Sequence, residues 1–309
     1  MKLEKMCSKR KSSDMLGPKV VEGETGSVDI KDLVVKYGDF TAVDGISLSI
    51  PCNGIYGFLG PNGAGKTTTI RTLTTLLKPY SGTIIIKGKD VVKNTKEIRK
   101  SIGMVQQHIA LDKEISVREN IICHAILHKI PRKEIDSRMK ELSDILGLEK
   151  YMDKLILDLS GGWRRRAAIA CALMHKPSIL FLDEPTAGLD TQSRHILWEI
   201  VRKLKRSGTM IFLTTHYMDE AEALCDRIAI IDCGRVIAEG TPIELNNLVG
   251  KVAIDYENEG RFVTKTFASR DMAKEFIAGN LSEDSSYSLR KTTLEDVFLE
   301  LTGNRMGGD

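Results

Sequence analysis

Apolar and β-branched residues start to recur at Val28, and their spacing changes character several times before the C-terminus. Residues 28–37 and 41–50 set such side chains around Gly38, Asp39 and Gly45, which predicts short strands joined by turns. Residues 55–59 form a brief apolar run that ends in a glycine-rich loop. A helix is predicted from Gly65 to about Leu77, stopped by Pro79 and Gly82, with another strand over 83–87. From about Ser116 to Leu159 the pattern is helical: Ser116 and Glu119 fit a capping box, and Ile135, Met139, Leu142, Ile145 and Leu146 recur at helical spacing before Gly147. Continuous apolar runs return at 179–182 and 210–214, separated by an amphipathic helix over 195–205. Such runs alternating with helices imply a parallel sheet covered on both faces, with the helical stretch inserted between two α/β portions. Beyond Gly250, residues 252–256 and 262–267 flank Asn258, Glu259 and Gly260 as a hairpin. Two short helices follow, around 271–278 and 294–301, the second with Thr292 and Glu295 as capping box and Gly303 as stop.

Composition narrows this picture in four ways. The 45 Lys and Arg against 42 Asp and Glu leave a net charge of +3, too balanced to argue nucleic-acid binding, although a local patch for a polyanion stays open. The mean hydropathy is −0.15, and no apolar run approaches the ~20 residues needed to cross a bilayer. The first residues are basic (Lys2, Lys5, Lys9, Arg10, Lys11) without an apolar segment behind them, so residues 1–27 are expected to be a disordered basic tail rather than a secretory signal. The six cysteines (Cys7, Cys52, Cys123, Cys171, Cys225 and Cys233) show no metal-binding spacing, and several sit in apolar runs, as free buried thiols do in a reducing cytosol.

The chemistry concentrates in a few short stretches. Gly60-Pro61-Asn62-Gly63-Ala64-Gly65-Lys66-Thr67 fits the phosphate-binding loop GxxxxGK[ST], with a strand before it and a helix behind. Glycines let successive N–H groups point into one concavity, and the helix start adds its positive end. Lys66 is placed to reach the β- and γ-phosphates, and the Thr67 hydroxyl to bind Mg²⁺. The apolar run 179–182 ends in Asp183-Glu184, where Asp183 would hold Mg²⁺ through water and Glu184 would orient or deprotonate the attacking water. No guanine-reading NKxD motif is found. Leu159-Ser160-Gly161-Gly162 directly precedes a helix and forms a second anion site of hydroxyl, bare amides and helix end.

Together these stretches resemble the ATP-binding cassette (ABC) ATPases, over roughly residues 28–249. LSGG is that family's signature, and the other motifs stand in the family's order. Gln107 matches the Q-loop glutamine, with Gln106 beside it as the alternative; Ala187-Gly188-Leu189-Asp190 matches the D-loop. His216 matches the switch histidine, and Tyr37 the aromatic that stacks on adenine. Asp190 also fits a plain helix cap. The signature's fifth position, often Gln, is Trp163, followed by Arg164-Arg165-Arg166, which could support the second phosphate site or its neighbours. Within the family, LSGGxRRR, the run from Leu182 to Asp190 and the ending from Leu294 to Gly303 are most similar to the daunorubicin-resistance group of drug-exporter ATPases.

The resemblance implies an α/β P-loop NTPase with a mixed sheet core, a helical subdomain at about 108–160 and a small α+β C-terminal domain at 251–309, the cassette itself spanning 28–250. It implies a site in which Tyr37, the loop 60–67 with Thr68, and Ser160, Gly161, Gly162 and Asp190 bind ATP. Thr67, Gln107 and Asp183 would hold Mg²⁺, and Glu184, His216 and Gln107 would serve hydrolysis. The implied partners are a second copy of the chain, joined on ATP binding so that Ser160 of one meets ATP on the loop of the other, and a separate membrane permease; no nucleic acid is expected. The implied location is the cytoplasmic face of the cell membrane, and the implied work is export, possible drug efflux included. Two alternatives are an importer ATPase and a soluble ABC ATPase acting on nucleic acid or ribosomes.

Overall fold

The computed structural model describes residues 28–258, 261–281 and 286–303, so the expectation of a disordered tail over 1–27 lies outside the described residues. Strand β3 (Ile55–Leu59), the predicted apolar run, is central to a six-stranded sheet. The sheet comprises β10 (Arg235–Gly240), β9 (Arg227–Asp232), β3, β8 (Met210–Thr215), β7 (Ile179–Asp183) and β6 (Ile102–Val105) in that order. All neighbours are parallel except β10, which pairs antiparallel with β9 at the edge.

The continuous apolar strands follow from burial on both faces. Phe58, Phe181 and Phe212 point to one side, where their rings lie 5.5–5.8 Å apart, and Leu59, Leu182 and Leu213 point to the other. The phenylalanine side packs against a second, antiparallel sheet of β2 (Phe40–Ile50), β1 (Val28–Tyr37), β4 (Ser81–Ile86) and β5 (Lys89–Asp90), which contributes Val28, Leu33, Ile46 and Ile86 to one core. The leucine side meets helices, including the inserted pair α3 (Val117–Leu127) and α4 (Arg132–Leu146). The predicted box at Ser116 and Glu119 caps α3 reciprocally, and Gly147 ends α4 in the left-handed region at φ 67°.

Several boundaries differ from the pattern. Helix α1 (Lys66–Leu73) stops before Leu77, because the Thr74 hydroxyl donates back to the Ile70 carbonyl and Thr75 adopts φ 65°. The helix predicted over 195–205 is α6 (Thr191–Arg206), begun four residues earlier by the Asp190 cap. The short helices α2 (Thr95–Ser101), α7 (Met218–Leu224) and α8 (Pro242–Val249) and the strand β13 (Tyr287–Lys291) have too few periodic positions to stand out in the sequence.

After Gly250, β11 (Val252–Asn258) lies between β12 (Arg261–Phe267) and β13, with helices α9 (Arg270–Asn280) and α10 (Leu294–Thr302). The box at the start of α10 is Thr293 with Asp296, one position later than the predicted Thr292 with Glu295. Asp296 is drawn inward by Arg290, whose guanidinium donates to it and to Asp255 of β11, fastening strand to helix. Leu294, Val297 and Phe298 of α10 join the same core as the inserted helices and the leucine face of the main sheet. Cys171 and Cys225 are buried free thiols, as expected, while Cys52 and Cys123 are exposed. Cys233 is disulfide-bonded, so the free-thiol expectation does not extend to it.

Candidate functional site

Strand order places the chemistry. Leu59 pairs with Thr215, Asp183 with Thr214 and Val105 with Leu182, so the segments leaving β3, β7, β8 and β6 emerge side by side at the carboxyl edge of the sheet. Those segments are the loop 60–65, Glu184, His216 and Gln107.

The loop is shaped by its packing. A Cβ on Gly60 would stand 2.3 Å from the Ile231 carbonyl oxygen, and one on Gly65 would stand 2.5 Å from that of Ala42, with Gly65 at φ +103°. Neither position therefore accepts a side chain in this backbone. Ala64 is buried, and its N–H donates to the Pro61 carbonyl at 3.2 Å, while Asn62 and Gly63 are exposed at the tip. Helix α1 begins at Lys66 with Thr67 and Thr68 in its first turn. Lys66 Nζ donates to the carbonyls of Gly60 at 2.9 Å and Pro61 at 3.1 Å, and pairs with Glu184 Oε1 at 3.2 Å. Burial pushes its ammonium below the ordinary lysine value, with Glu184 and Asp183 pulling the other way.

The acid pair ends β7 as the sequence indicates. Asp183 Oδ1 accepts from the hydroxyls of Thr214 at 2.6 Å and Thr67 at 3.3 Å. Burial raises this carboxyl above the usual carboxylate range, partly offset by those two hydrogen bonds. Glu184 holds φ 45°, a strained conformation for a non-glycine residue, and its N–H donates to the Thr214 carbonyl at 3.1 Å and hydroxyl at 3.0 Å. Its carboxylate also accepts from Gln107 Nε2 at 3.1 Å and lies 3.2 Å from His216 Nδ1. Of the two candidate glutamines, it is therefore Gln107 whose side chain meets Glu184. Lys66, Gln107 and His216 all converge on this one carboxylate.

Thr67 and Asp183 supply hard oxygen donors within reach of one another, and among the described residues no group of three or more His, Cys, Asp or Glu could enclose a metal. That set fits Mg²⁺, which takes one or two protein ligands and fills its remaining positions with phosphate and water. Gln107, the third residue expected at the metal, is turned to Glu184.

Other expected residues lie elsewhere. Ser160 is exposed and begins α5 (Gly161–Leu173). Among the described residues no hydrogen bond or ion pair joins Ser160 to the loop at Lys66. A Cβ on Gly161 would meet Leu189 at 3.3 Å, and one on Gly162 would meet Ser193 Oγ at 3.0 Å, so the signature glycines allow close approach of the segment containing Asp190. Asp190 caps α6, accepting from Ser193 N–H at 2.9 Å and Ser193 Oγ at 2.6 Å. Tyr37 ends β1, 47% exposed, opposite Phe40; two residues beyond Phe40, the Ala42 carbonyl abuts Gly65. The antiparallel sheet thus brings the tip carrying Tyr37 toward the loop.

The three arginines part company. Arg164 donates to the carbonyls of Ile156 and Leu157 at 3.1 and 2.8 Å. Arg166 stacks at 4.0 Å on the Trp163 ring, which itself stacks at 3.8 Å on Tyr151. Arg165 turns inward to the carbonyls of Gln106 and Gln107. Sequence reasoning missed Thr214, and it grouped Arg165 with its neighbours near the second phosphate site rather than against the Gln106 and Gln107 backbone. Thr214 was legible only as the end of an apolar strand, and nothing in the spacing distinguishes Arg165 from its neighbours.

The ABC transporter family profile matches residues 43–187. The daunorubicin resistance ATP-binding protein DrrA3 of Streptomyces coeruleorubidus is 38% identical over 295 residues, covering 87% of this chain and 93% of that protein. The Nod factor export ATP-binding protein I of Cupriavidus metallidurans is 37% identical over 300 residues, covering 91% and 99%. Among solved structures, cbiO1 from Clostridium perfringens, part of the ABC transporter complex cbiONQ, is 29% identical with a TM-score of 0.67, covering 83% of this chain and 96% of that one. A dimeric ATP-binding cassette in a post-hydrolysis state, bound to ADP and Pi, is 27% identical with a TM-score of 0.63, covering 69% and 98%. The fold and the site are those of a P-loop ATPase. The chain belongs to the ATP-binding subunits of ABC transporters, a family whose exporter members work with separate membrane permease components. Among the described residues no helix is long and apolar enough to cross a membrane.

Proposed function

We propose that this chain hydrolyses Mg²⁺-bound ATP to drive export through a separate permease, bound peripherally at the cytoplasmic face of the membrane. The observation that carries the catalytic part is the convergence of Lys66, Gln107 and His216 on the Glu184 carboxylate, at 3.1–3.2 Å. With nucleotide on the loop, Lys66 exchanges Glu184 for the β- and γ-phosphates, and Glu184 becomes the general base for the attacking water, with Gln107 and His216 orienting its surroundings. Thr67 and Asp183 would hold Mg²⁺, which would supply charge neutralisation on the phosphates.

Ser160 is exposed and, among the described residues, makes no hydrogen bond or ion pair with its own loop, which supports a head-to-tail homodimer in which it and its glycines close over the partner's ATP. Tyr37 is read as the adenine platform, Asp190 as a residue near the subunit seam that also caps its helix. Residues 28–250 are read as the cassette with its helical insert, and 251–309 as a small C-terminal domain. Export is favoured because relatives named for daunorubicin resistance and for Nod factor export span 87–91% of the chain.

The test is Glu184→Gln. Hydrolysis should slow by roughly 10²–10⁴-fold, as expected on removing a general base, while ATP now holds a dimer stable on gel filtration. Unchanged turnover would sink the role of Glu184. A membrane protein that co-purifies with the chain and alters its ATPase rate would establish the permease, and a partner that imports would overturn export.

A further inference from the structure

Arg165 is 3% exposed, on the second turn of the helix that Ser160 begins. Its guanidinium donates to two successive carbonyls, of Gln106 at 2.6 Å and of Gln107 at 3.0 Å. No carboxylate forms an ion pair with it among the described residues, and its Nε is buried without a hydrogen-bond partner. Asp183 and Glu220 are near enough to favour its charge through space, against a burial that disfavours it. A buried guanidinium fastened to backbone carbonyls is costly to place and rigid once placed, because moving it leaves charge and carbonyls unsatisfied.

The connections run on in both directions. Toward one end, Gln107 Nε2 donates to Glu184, which meets Lys66 and His216. Toward the other, four residues of α5 separate Arg165 from Ser160, and that helix start packs its glycines against Leu189 and Ser193. We propose that Arg165 is a positioning residue that couples the two nucleotide sites through one subunit: movement of the signature helix on meeting the partner's ATP is passed through its guanidinium to the backbone of Gln107, and so sets Glu184 in its own site. This rests on the head-to-tail dimer put forward above. It assigns to Arg165 neither phosphate nor partner contact, since its donors are directed into its own subunit.

The experiment compares the full chain with Arg165→Lys and Arg165→Gln, each also combined with Glu184→Gln. Lysine keeps the charge but cannot span two carbonyls as a planar fork does, and glutamine keeps donors without the charge. Three quantities are read: the ATP dissociation constant of the isolated subunit, the dependence of hydrolysis rate on ATP concentration, and thermal unfolding. ATP binding by the monomer should stay within about 2-fold. The maximal rate should fall on the order of 10–100-fold, the size that follows a misplacement of about 1 Å at a reacting group. The Hill coefficient, bounded by the two sites of the dimer, should fall toward 1. A purely structural role would lower the unfolding temperature and the yield of active protein but leave the Hill coefficient of the folded fraction unchanged. If a glutamine variant does not fold, the lysine variant alone decides. A folded variant with maximal rate and Hill coefficient within 2-fold of the parent overturns the coupling role. If Glu184→Gln without any Arg165 change gives no ATP-dependent dimer, the dimer reading fails and takes the coupling with it. A dimer in that background alongside unchanged Arg165 variants overturns the coupling alone.

Discussion

Thr214→Val isolates what one hydroxyl contributes beneath the acid pair. Thr214 is 0% exposed, and its Oγ1 donates to Asp183 Oδ1 at 2.6 Å while accepting from the Glu184 N–H at 3.0 Å. Valine keeps the branched shape and opens no cavity, so the cost is that of the hydrogen bonds. The bond to a buried carboxylate is worth about 1.5–3 kcal/mol. The second is worth less, about 0.5 kcal/mol, because the Thr214 carbonyl already accepts from the same N–H at 3.1 Å. The sum is about 2–3.5 kcal/mol, and at roughly 2–4 °C per kcal/mol for a chain of this size the melting temperature should drop by about 4–14 °C. Urea unfolding with and without ATP is the assay, and Thr214→Ser, which retains the hydroxyl, should recover most of the loss. A Thr214→Val protein within 0.5 kcal/mol of the parent would show that Asp183 is held by something other than this hydroxyl.

Gly65→Ala places a Cβ 2.5 Å from the Ala42 carbonyl oxygen at φ +103°, whereas Gly63, at φ +82°, has open space around it. ATP affinity should therefore weaken more than 10-fold for Gly65→Ala and much less for Gly63→Ala; equal losses would mean that packing against β2 does not shape the loop. His175 is pushed down to about 4 by burial, with its Nε2 2.8 Å from the Ile102 carbonyl and its ring stacked at 3.8 Å on His128. Its unfolded-state pKa lies near 6.5, so between about 6.5 and about 4 the unfolded chain binds more protons than the native one, and stability falls as pH falls. The urea midpoint should drop from pH 7 to pH 5, and His175→Gln, which can still donate to Ile102, should flatten that dependence; an identical slope in the variant would exclude His175 as its source.

Most of the candidate site could be read from the chain because each motif is contiguous and its chemistry is local. A loop of glycines ending in Lys66-Thr67 needs only its own backbone and the following helix to form an anion cradle. Asp183-Glu184 needs only the apolar run before it to be recognised as a strand end. The inserted helices were legible from Ser116, Glu119 and Gly147 for the same reason, since caps and stops act within a few residues. Short elements such as the strand Tyr287–Lys291 were not, because their register comes from pairing with β11 rather than from their own pattern. The cap at Thr293 was misplaced by one position, because Arg290 selects Asp296 and that contact spans two elements.

Residue types, their order and the apolar strands of a sheet covered on both faces can be read along the chain, because hydrophobic period and motif spacing are properties of neighbouring residues. Packing in three dimensions brings Lys66, Gln107 and His216 onto Glu184, residues drawn from segments far apart in the chain and set side by side by strand order. It also decided what three adjacent arginines do. On a helix, successive side chains point about 100° apart, so Arg164, Arg165 and Arg166 reach three different surroundings, and only the packing around α5 reveals which of them is buried against the Gln107 backbone.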